Sequence, residues 1–394
     1  MRQITYRTEG LPSEPAIQTF LKARELEAQG ADVVHLEIGE PDFQTPLHIR
    51  NALKVAVDRG ETHYCDSQGI CELREAIAER ITAVRGVGVD ANSVVVTPGL
   101  RPVLFYGALA TLQDGDEGIY CDPAFAAFPA VIRFAGATAV PVPLRGGSGF
   151  RLDIGELRAA ITPRTRLITL NSPHNPTGSV LTENDLREIE AIACEHDLFV
   201  LSDETYEDIF YESRPRSVIE FPRLRERSIV MSGFSKTYCM TGWRLGYAIL
   251  PPTLVEPFVR ITANSVSCTN TFVQYAAVEA LRGPQDCVTS MVAEFRDRRD
   301  VLVERLNRMP GINCHTPAGA FYAFADVSGV GISDIELARI LLEEAGVAAL
   351  AGSAFGKQGE GYLRFAYTTS MQNIVKAMDR VECTVSALAE AKVV

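Results

Sequence analysis

The sequence predicts an α/β protein with a mostly parallel central sheet in a large domain and a smaller α+β domain. Two observations indicate this fold. Short apolar runs rich in Val and Ile alternate with helix-like segments through the middle of the chain, as expected for a sheet covered by helices on both faces. Beyond Pro284 this alternation gives way to a long amphipathic helix followed by short strands.

The strand-like and helix-like segments follow one another regularly in the predicted large domain. SVVVTPG precedes LRPVLFYGALATL, GIYCDP precedes AFAAFPAVIRFAG, and TAVPVPL precedes a glycine-rich turn. RLITLNSP leads into TENDLREIEAIACEHD, LFVLSDE into a short helical pattern, and SIVMSGFS and LGYAIL close the series. Repeated strand–helix units of this kind are typical of parallel sheets.

The C-terminal part begins with MVAEFRDRRDVLVERLNRM, which predicts a long amphipathic helix with its charges on the outer face. AFYAFADV, GVAALAG and YLRFAYT predict short strands, while DIELARILLEEAG and NIVKAMDRVECTVSALAEA predict two further helices. We therefore expect an N-terminal segment at 1–44 that joins the small domain, a large domain at 45–284 and a small domain at 285–394.

Composition narrows the class of partner. The net charge is −12, with 38 basic and 50 acidic residues, and no basic block stands out, so nucleic acid is a poor candidate. The nine cysteines are scattered without a CxxC pair, which favours free thiols in a reducing compartment. No signal-peptide or membrane-spanning pattern is visible. We expect a soluble cytoplasmic protein that binds a small molecule.

Four polar stretches follow predicted strands, where ligands collect in open α/β sheets. TPGLRP (97–102) opens a helix and suits an anion, although many such turns bind nothing. NSPHNPTG (171–178) could be an ordinary loop or could orient a polar ligand through its amides. Asp203 ends an apolar strand, where it is either a helix cap or a buried carboxylate that needs a cation.

The fourth stretch contains Lys236, in SGFSKTYCMTGWRLGY (232–247). A partly desolvated lysine can lose its proton and act as a nucleophile or Schiff-base partner, which an arginine cannot do. An anion site, a buried carboxylate and such a lysine are what pyridoxal 5′-phosphate (PLP) needs. Competing signatures are missing or misplaced: there is no GxSxG and no HExxH, and the GxGxxA at 86–91 follows a helix instead of a strand.

The sequence resembles the class I/II PLP-dependent aminotransferases of fold type I, and within them the bacterial aspartate aminotransferase-like group. The resemblance covers nearly the whole chain. Its motifs are IGEPDF (38–43), NSPHNPTG (171–178), LSDETYE (201–207), GFSKTYCMTGWRLGY (233–247), PAGAFYAF (317–324) and YLRFAYT (362–368). It implies a ping-pong transfer of an amino group between an L-amino acid and a 2-oxo acid.

The resemblance also implies roles for individual residues. Lys236 looks like the Schiff-base lysine that later moves the Cα proton, Asp203 like the partner of the pyridine nitrogen, and Tyr206 like a donor to the phenolic oxygen of the cofactor. Other implied cofactor-binding residues are Gly99, Leu100, Arg101, Phe125, Asn175, Ser235, Arg244 and, from a second subunit of a homodimer, Tyr64. Implied substrate-binding residues are Gly39, Asn175 and Arg364, whose guanidinium grips the α-carboxylate.

Substrate and reaction type stay partly open at this stage. The same lysine would serve a PLP lyase, either a C–S β-lyase or an enzyme similar to aminocyclopropanecarboxylate synthase. A ligand-sensing regulator is disfavoured, because only about forty residues precede the first motif, too few for a DNA-binding domain. No cation can be assigned to the distal carboxylate of a dicarboxylic donor. Glu14, in the segment expected to cover the site, is interpreted as a solvated surface residue.

Overall fold

A computed structural model describes residues 8, 11 and 14–391 of the chain. Within these residues there are thirteen α-helices and thirteen β-strands. Seven of the strands form one large sheet, four form a second sheet, and two form a short parallel pair. The predicted α/β fold with a mostly parallel central sheet is confirmed.

The large sheet contains β2 (Val94–Thr97), β3 (Glu117–Asp122), β4 (Thr138–Pro143), β5 (Thr165–Asn171), β6 (Phe199–Asp203), β7 (Ser228–Gly233) and β8 (Gly246–Ile249). Its strand order is β2-β8-β7-β6-β5-β3-β4. Only β8 runs antiparallel to its neighbours. Every residue of β2, β7 and β8 is buried, because helices cover both faces of the sheet.

The helices of the described residues include the long ones that the sequence pattern predicts, together with several that it did not single out. They are α1 (Pro15–Ala28), α2 (Leu47–Asp58), α3 (Cys71–Arg85), α4 (Arg101–Thr111), α5 (Ala127–Phe134), α6 (Ile154–Ala159), α7 (Glu183–Glu195), α8 (Pro222–Arg225), α9 (Pro252–Ser265), α10 (Thr271–Arg282), α11 (Asp286–Arg308), α12 (Asp334–Glu343) and α13 (Met371–Ala391). Among the residues described, no helix is long and apolar enough to cross a membrane.

Local sequence explains several helix starts. Thr182 and Asp185 form a reciprocal capping box at the start of α7, each side chain bonding the backbone N–H of the other residue. Asp153 caps α6 and Ser333 caps α12 in the usual way, with side-chain oxygens that accept backbone N–H groups. The helix α4 has no side-chain cap at Leu100, which leaves its first N–H groups available to a ligand.

The second sheet has the order β12-β13-β10-β9 and is antiparallel throughout. Its strands are β9 (Asn313–Cys314), β10 (Tyr322–Asp326), β12 (Leu350–Ala351) and β13 (Tyr362–Ala366), while β1 (Val34–His35) pairs with β11 (Val347–Ala348). The sequence pattern missed the two-residue strands β1 and β9, which are too short to show a period. The predicted domain boundaries at residues 44 and 284 stay predictions.

Candidate active site

A cavity of about 300 Å³ lies where β5, β6 and β7 reach their carboxyl ends. Asn171 ends β5, Asp203 ends β6, and Lys236 lies just beyond β7; all three line the cavity. Tyr322 and Arg364, from β10 and β13 of the second sheet, line it as well. The site is therefore built where the two sheets meet, at the strand ends that gather ligands in parallel sheets.

Lys236 carries a partly buried ammonium group in this cavity. Its Nζ donates a hydrogen bond of 2.6 Å to the carbonyl oxygen of Gly39. Burial lowers the pKa of Lys236 to about 8, and the nearby Arg364 and Arg244 act in the same direction, against the opposing effect of Glu40. A substantial fraction of this amine is consequently neutral slightly above pH 7, as a nucleophile or proton acceptor requires.

Asp203 is the buried carboxylate that the sequence predicts at the end of β6. Only 7% of the residue is exposed, and its Oδ1 accepts a hydrogen bond of 3.1 Å from the N–H of Thr205. Burial raises the pKa of Asp203 to about 7, while the Thr205 N–H and the charge of Lys236 oppose that rise. No basic side chain forms an ion pair with Asp203 in the described part of the chain, so this carboxylate is available to a cation in the cavity.

Arg364 is a buried cation with a free edge. Its Nη1 donates a hydrogen bond of 3.1 Å to Oδ1 of Asn175, and its Nη2 donates to the carbonyl oxygen of Glu37. Over the residues described, its Nε is buried and has no partner. Burial lowers the pKa of this guanidinium, which keeps its charge because the ordinary value is so high. An anionic group could therefore bind here.

Tyr206 and Tyr322 form a pair of buried tyrosines beside Arg364. Their hydroxyl oxygens lie 2.8 Å apart, and the guanidinium of Arg364 lies 4.4 Å from the centre of the Tyr322 ring. A Cβ atom on Gly39 would overlap the Tyr322 hydroxyl, so only glycine fits in this segment. The close packing brings the backbone carbonyl of Gly39 within reach of Lys236.

A further cation lines the cavity beside the turn that precedes α4. Arg244 lines the cavity, adopts a left-handed backbone conformation (φ 53°) and donates a hydrogen bond of 2.8 Å to the carbonyl of Thr241. It has no carboxylate partner within the described ranges. A Cβ on Gly99 would overlap the Arg244 guanidinium, so the missing side chain is what lets the turn before α4 approach this charge. Ser235 and Leu100 also line this side.

The rim of the cavity carries an ion pair. Arg101 pairs with Glu14, and its guanidinium lies 5.2 Å from the centre of the Phe125 ring. All three residues line the cavity. The interpretation of Glu14 as a solvated surface residue is therefore wrong, because the start of α1 returns to the mouth of the site and its carboxylate meets a cation there.

Most of the predicted site residues meet at this one cavity. Those that line it are Gly39, Leu100, Arg101, Phe125, Asn175, Asp203, Tyr206, Ser235, Lys236, Arg244 and Arg364. Gly99 lies behind the lining, against Arg244. Tyr64 does not line the cavity of its own chain and is 90% exposed. Sequence reasoning missed Tyr322, although the motif PAGAFYAF that contains it was noted.

The donors in the cavity suit PLP. A carboxylate without an ion-pair partner, Asp203, can hold a pyridinium, and a lysine with a lowered pKa, Lys236, can react with an aldehyde. Arg244 and the uncapped start of α4 beside Gly99 supply positive charge and N–H groups for a phosphate. The residues present thus fit the pyridine nitrogen, the aldehyde and the phosphate of this cofactor.

Comparisons with known proteins agree with this chemistry. A family model described as aminotransferase class I and II matches residues 31–381. The chain is 42% identical over 360 residues to "Aromatic-amino-acid aminotransferase 2" of Thermococcus litoralis, covering 90% of this chain and 92% of that protein. It is also 42% identical to an "Aspartate aminotransferase" of Pyrococcus abyssi, over 89% of this chain and 91% of the relative.

A solved structure is similar over almost its whole length. The aspartate aminotransferase from Thermus thermophilus with maleate superimposes with a TM-score of 0.92 at 36% identity, covering 96% of this chain and 99% of that one. These names all denote amino-group transfer, so the lyase alternative is not favoured. A family match of this extent, together with the site described above, identifies the chain as a PLP-dependent transaminase that belongs to the class I and II aminotransferases.

Proposed function

We propose that Lys236 carries the covalent and proton-transfer chemistry of this transaminase. The observation that supports this most directly is its position at the carboxyl edge of the sheet, close to Asp203, where partial burial lowers the pKa of its amine to about 8. When bound, PLP supplies an electron sink for negative charge at the Cα of an amino acid. Nζ of Lys236 then takes the Cα proton and returns it, as a general base and acid.

The residues around Lys236 hold the cofactor in this proposal. The carboxylate of Asp203 binds the protonated pyridine nitrogen. The lack of an ion-pair partner for Asp203 among the described residues favours this role. Asn175 and Tyr206 hydrogen-bond the phenolic oxygen, and Phe125 stacks on the ring. The phosphate is held by Gly99, Leu100, Arg101, Ser235 and Arg244, which lie together near the start of α4.

Arg364 binds the α-carboxylate of the amino acid, assisted by Gly39 and Asn175. Its unpartnered Nε and its burial among aromatic rings support this role, since a desolvated guanidinium interacts strongly with a carboxylate. The hydrogen bond from Nη1 to Asn175 holds the guanidinium in one plane. Gly39 lines the same cavity, and its carbonyl oxygen accepts a hydrogen bond from the Lys236 ammonium.

We further propose a homodimer in which Tyr64 of each chain completes the site of the other. Tyr64 is 90% exposed and lies outside its own cavity, as a residue that acts across an interface would. Mixing Lys236→Ala with Tyr64→Ala subunits tests this, because one site of the mixed dimer then contains both native residues. Recovery of activity on mixing is expected, and no recovery would place Tyr64 outside the partner's site.

The amino donor is proposed to pass the ion pair of Arg101 and Glu14 at the rim. Relatives include enzymes named for aromatic amino acids and for aspartate, so both donor classes are candidates. Pairing with Glu14 offsets the positive charge of Arg101 and disfavours a second carboxylate. Glu14→Gln should raise kcat/KM for aspartate relative to phenylalanine, by roughly 1.5- to 5-fold for a partly exposed charge. An unchanged ratio would remove Glu14 from substrate selection.

A cytoplasmic location is part of the proposal and rests on the scattered cysteines.

The assigned chemistry is tested by visible absorbance of the PLP-loaded protein. Adding a single amino acid without any oxo acid should remove the visible absorbance band of the PLP-loaded protein. Adding a 2-oxo acid afterwards should restore that band. Lys236→Ala should keep the fold, by its circular dichroism and melting temperature, and lose turnover by several orders of magnitude. Appreciable transamination by that variant would contradict the role of Lys236.

A further inference from the structure

Tyr322 is a buried side chain that touches three working parts of the cavity. Only 2% of it is exposed, and it lines the cavity. Its ring lies 4.4 Å from the Arg364 guanidinium, and its hydroxyl lies 2.8 Å from that of Tyr206. The same hydroxyl fills the space beside Gly39, whose carbonyl oxygen accepts a hydrogen bond from the Lys236 ammonium. One residue thus adjoins the proposed substrate, cofactor and proton-transfer groups.

The contact with Arg364 follows from strand register. In the antiparallel pair β10–β13, Tyr322 lies opposite Ala366, and Phe324 lies opposite Arg364. Alternate residues of a strand share a face, so Tyr322 and Arg364 are diagonal neighbours on one face. Two strands of a rigid sheet therefore set the position of the guanidinium over the ring, independently of any bound molecule.

The presence of the cofactor decides which hydroxyl donates in the hydrogen bond between Tyr322 and Tyr206. A phenol has one proton to donate. If Tyr206 donates its proton to the phenolic oxygen of PLP, its own oxygen can only accept, and the Tyr322 hydroxyl is within hydrogen-bond distance to donate. Burial raises the pKa of both tyrosines, so each keeps its proton near neutral pH.

We propose that Tyr322 is a positioning residue with two separable functions. Its hydroxyl donates a hydrogen bond to Tyr206 and makes that tyrosine a better donor to the cofactor. Its ring supports the Arg364 guanidinium through a cation–π contact and so orients the site for the α-carboxylate. The inference rests on the roles proposed above for Tyr206 and Arg364.

Tyr322→Phe tests the hydroxyl. Without the hydrogen bond from Tyr322, Tyr206 is a weaker donor, and more negative charge stays on the phenolic oxygen of the cofactor. That oxygen then holds more tightly the proton on Nζ of Lys236, where the lysine is joined to the cofactor. The midpoint of the pH titration of visible absorbance should therefore rise, by a few tenths to about one pH unit for the loss of one hydrogen bond. The substrate KM should stay near its parental value, because the ring remains.

Tyr206→Phe and the double variant Tyr206→Phe/Tyr322→Phe show whether the effect passes through Tyr206. The single Tyr206→Phe change should raise the same midpoint. In that background, adding Tyr322→Phe should produce no further rise, because the hydrogen bond it removes no longer reaches the cofactor. Additive shifts would overturn the proposed chain of hydrogen bonds.

Tyr367→Phe is the matched control. Tyr367 is also fully buried, and its hydroxyl lies 3.1 Å from that of Tyr211, but it does not line the cavity. This variant loses one hydroxyl from one buried tyrosine pair and should leave the midpoint unchanged. An equal shift in Tyr367→Phe and Tyr322→Phe would show a general effect of packing and overturn the inference.

Tyr322→Leu tests the ring. Compared with Tyr322→Phe, it should raise KM for the amino donor by about 3- to 30-fold, the range expected for loss of a desolvated cation–π contact. Equal KM values for the two variants would overturn the second function. If Tyr206→Phe itself fails to move the midpoint, the proposed role of Tyr206 is wrong; if it moves the midpoint and Tyr322→Phe does not, only this inference fails.

Discussion

Replacing Asp203 with Asn should stabilise the cofactor-free protein, and more so at high pH. Burial raises the pKa of Asp203 from its ordinary value of 3.8 to about 7. Between these two values the folded protein binds more protons at this site than the unfolded chain, so stability falls as pH rises from about 4 to 7. The side chain that best serves a bound cation thus destabilises the protein when the cation is absent.

The size of the effect follows from the shift. Between pH 5 and pH 8 the ionisation of Asp203 lowers the free energy of unfolding by about 3 kcal/mol, which corresponds to about two pH units of the pKa shift. For 394 residues the entropy of unfolding is about 0.8 kcal/mol per degree, so the melting-temperature gap between Asp203→Asn and the parent should widen by about 3 to 4 °C. The neutral amide avoids this cost because it does not titrate.

The assay is thermal melting of the PLP-free proteins at pH 5 and pH 8. Asp58→Asn is the control, because Asp58 is exposed and has no ion-pair partner among the described residues, so its melting-temperature gap should not widen. With PLP bound the order should reverse, and the dissociation constant of PLP should rise by roughly 10- to 100-fold in Asp203→Asn, for the loss of one charged hydrogen bond. An Asp203→Asn gap that is the same at both pH values would refute the reasoning.

Three further predictions concern neighbouring residues. Arg364→Lys should raise KM for amino donors by roughly 10- to 100-fold with little effect on PLP binding, because an ammonium cannot bind a carboxylate through two parallel hydrogen bonds. An unchanged KM in steady-state kinetics would contradict the role of Arg364. Gly39→Ala should displace the loop from Tyr322 and lower kcat, and native kinetics would show that the overlap is relieved elsewhere. Arg85→Met should leave the Glu207 carboxylate buried without its 2.7 Å partner and destabilise the protein by about 3 kcal/mol or more, measured by urea unfolding; stability equal to that of the parent would contradict this.

Local sequence was sufficient for the residues that sit next to their strands. Asp203 and Lys236 were predicted from apolar runs that end in a polar residue, and the structure brings both to the cavity. Gly99 and Asn175 follow strands in the same way. These residues come together because the carboxyl ends of parallel strands always share one edge of the sheet, whatever their order. Arg364 was found only through the resemblance to a family, since nothing in YLRFAYT places it near Lys236.

The sequence by itself determined the α/β fold, the class of cofactor and the strand-end residues proposed to bind it, because strand–helix alternation and strand-end polarity are local patterns. Only the tertiary structure decided that Tyr322 lies between Tyr206 and Arg364, and that Glu14 pairs with Arg101 at the rim. Those contacts depend on the register of β10 against β13 and on where α1 returns to the sheet. Neither is encoded in any short stretch of sequence, because register and docking are settled by packing between segments far apart in the chain.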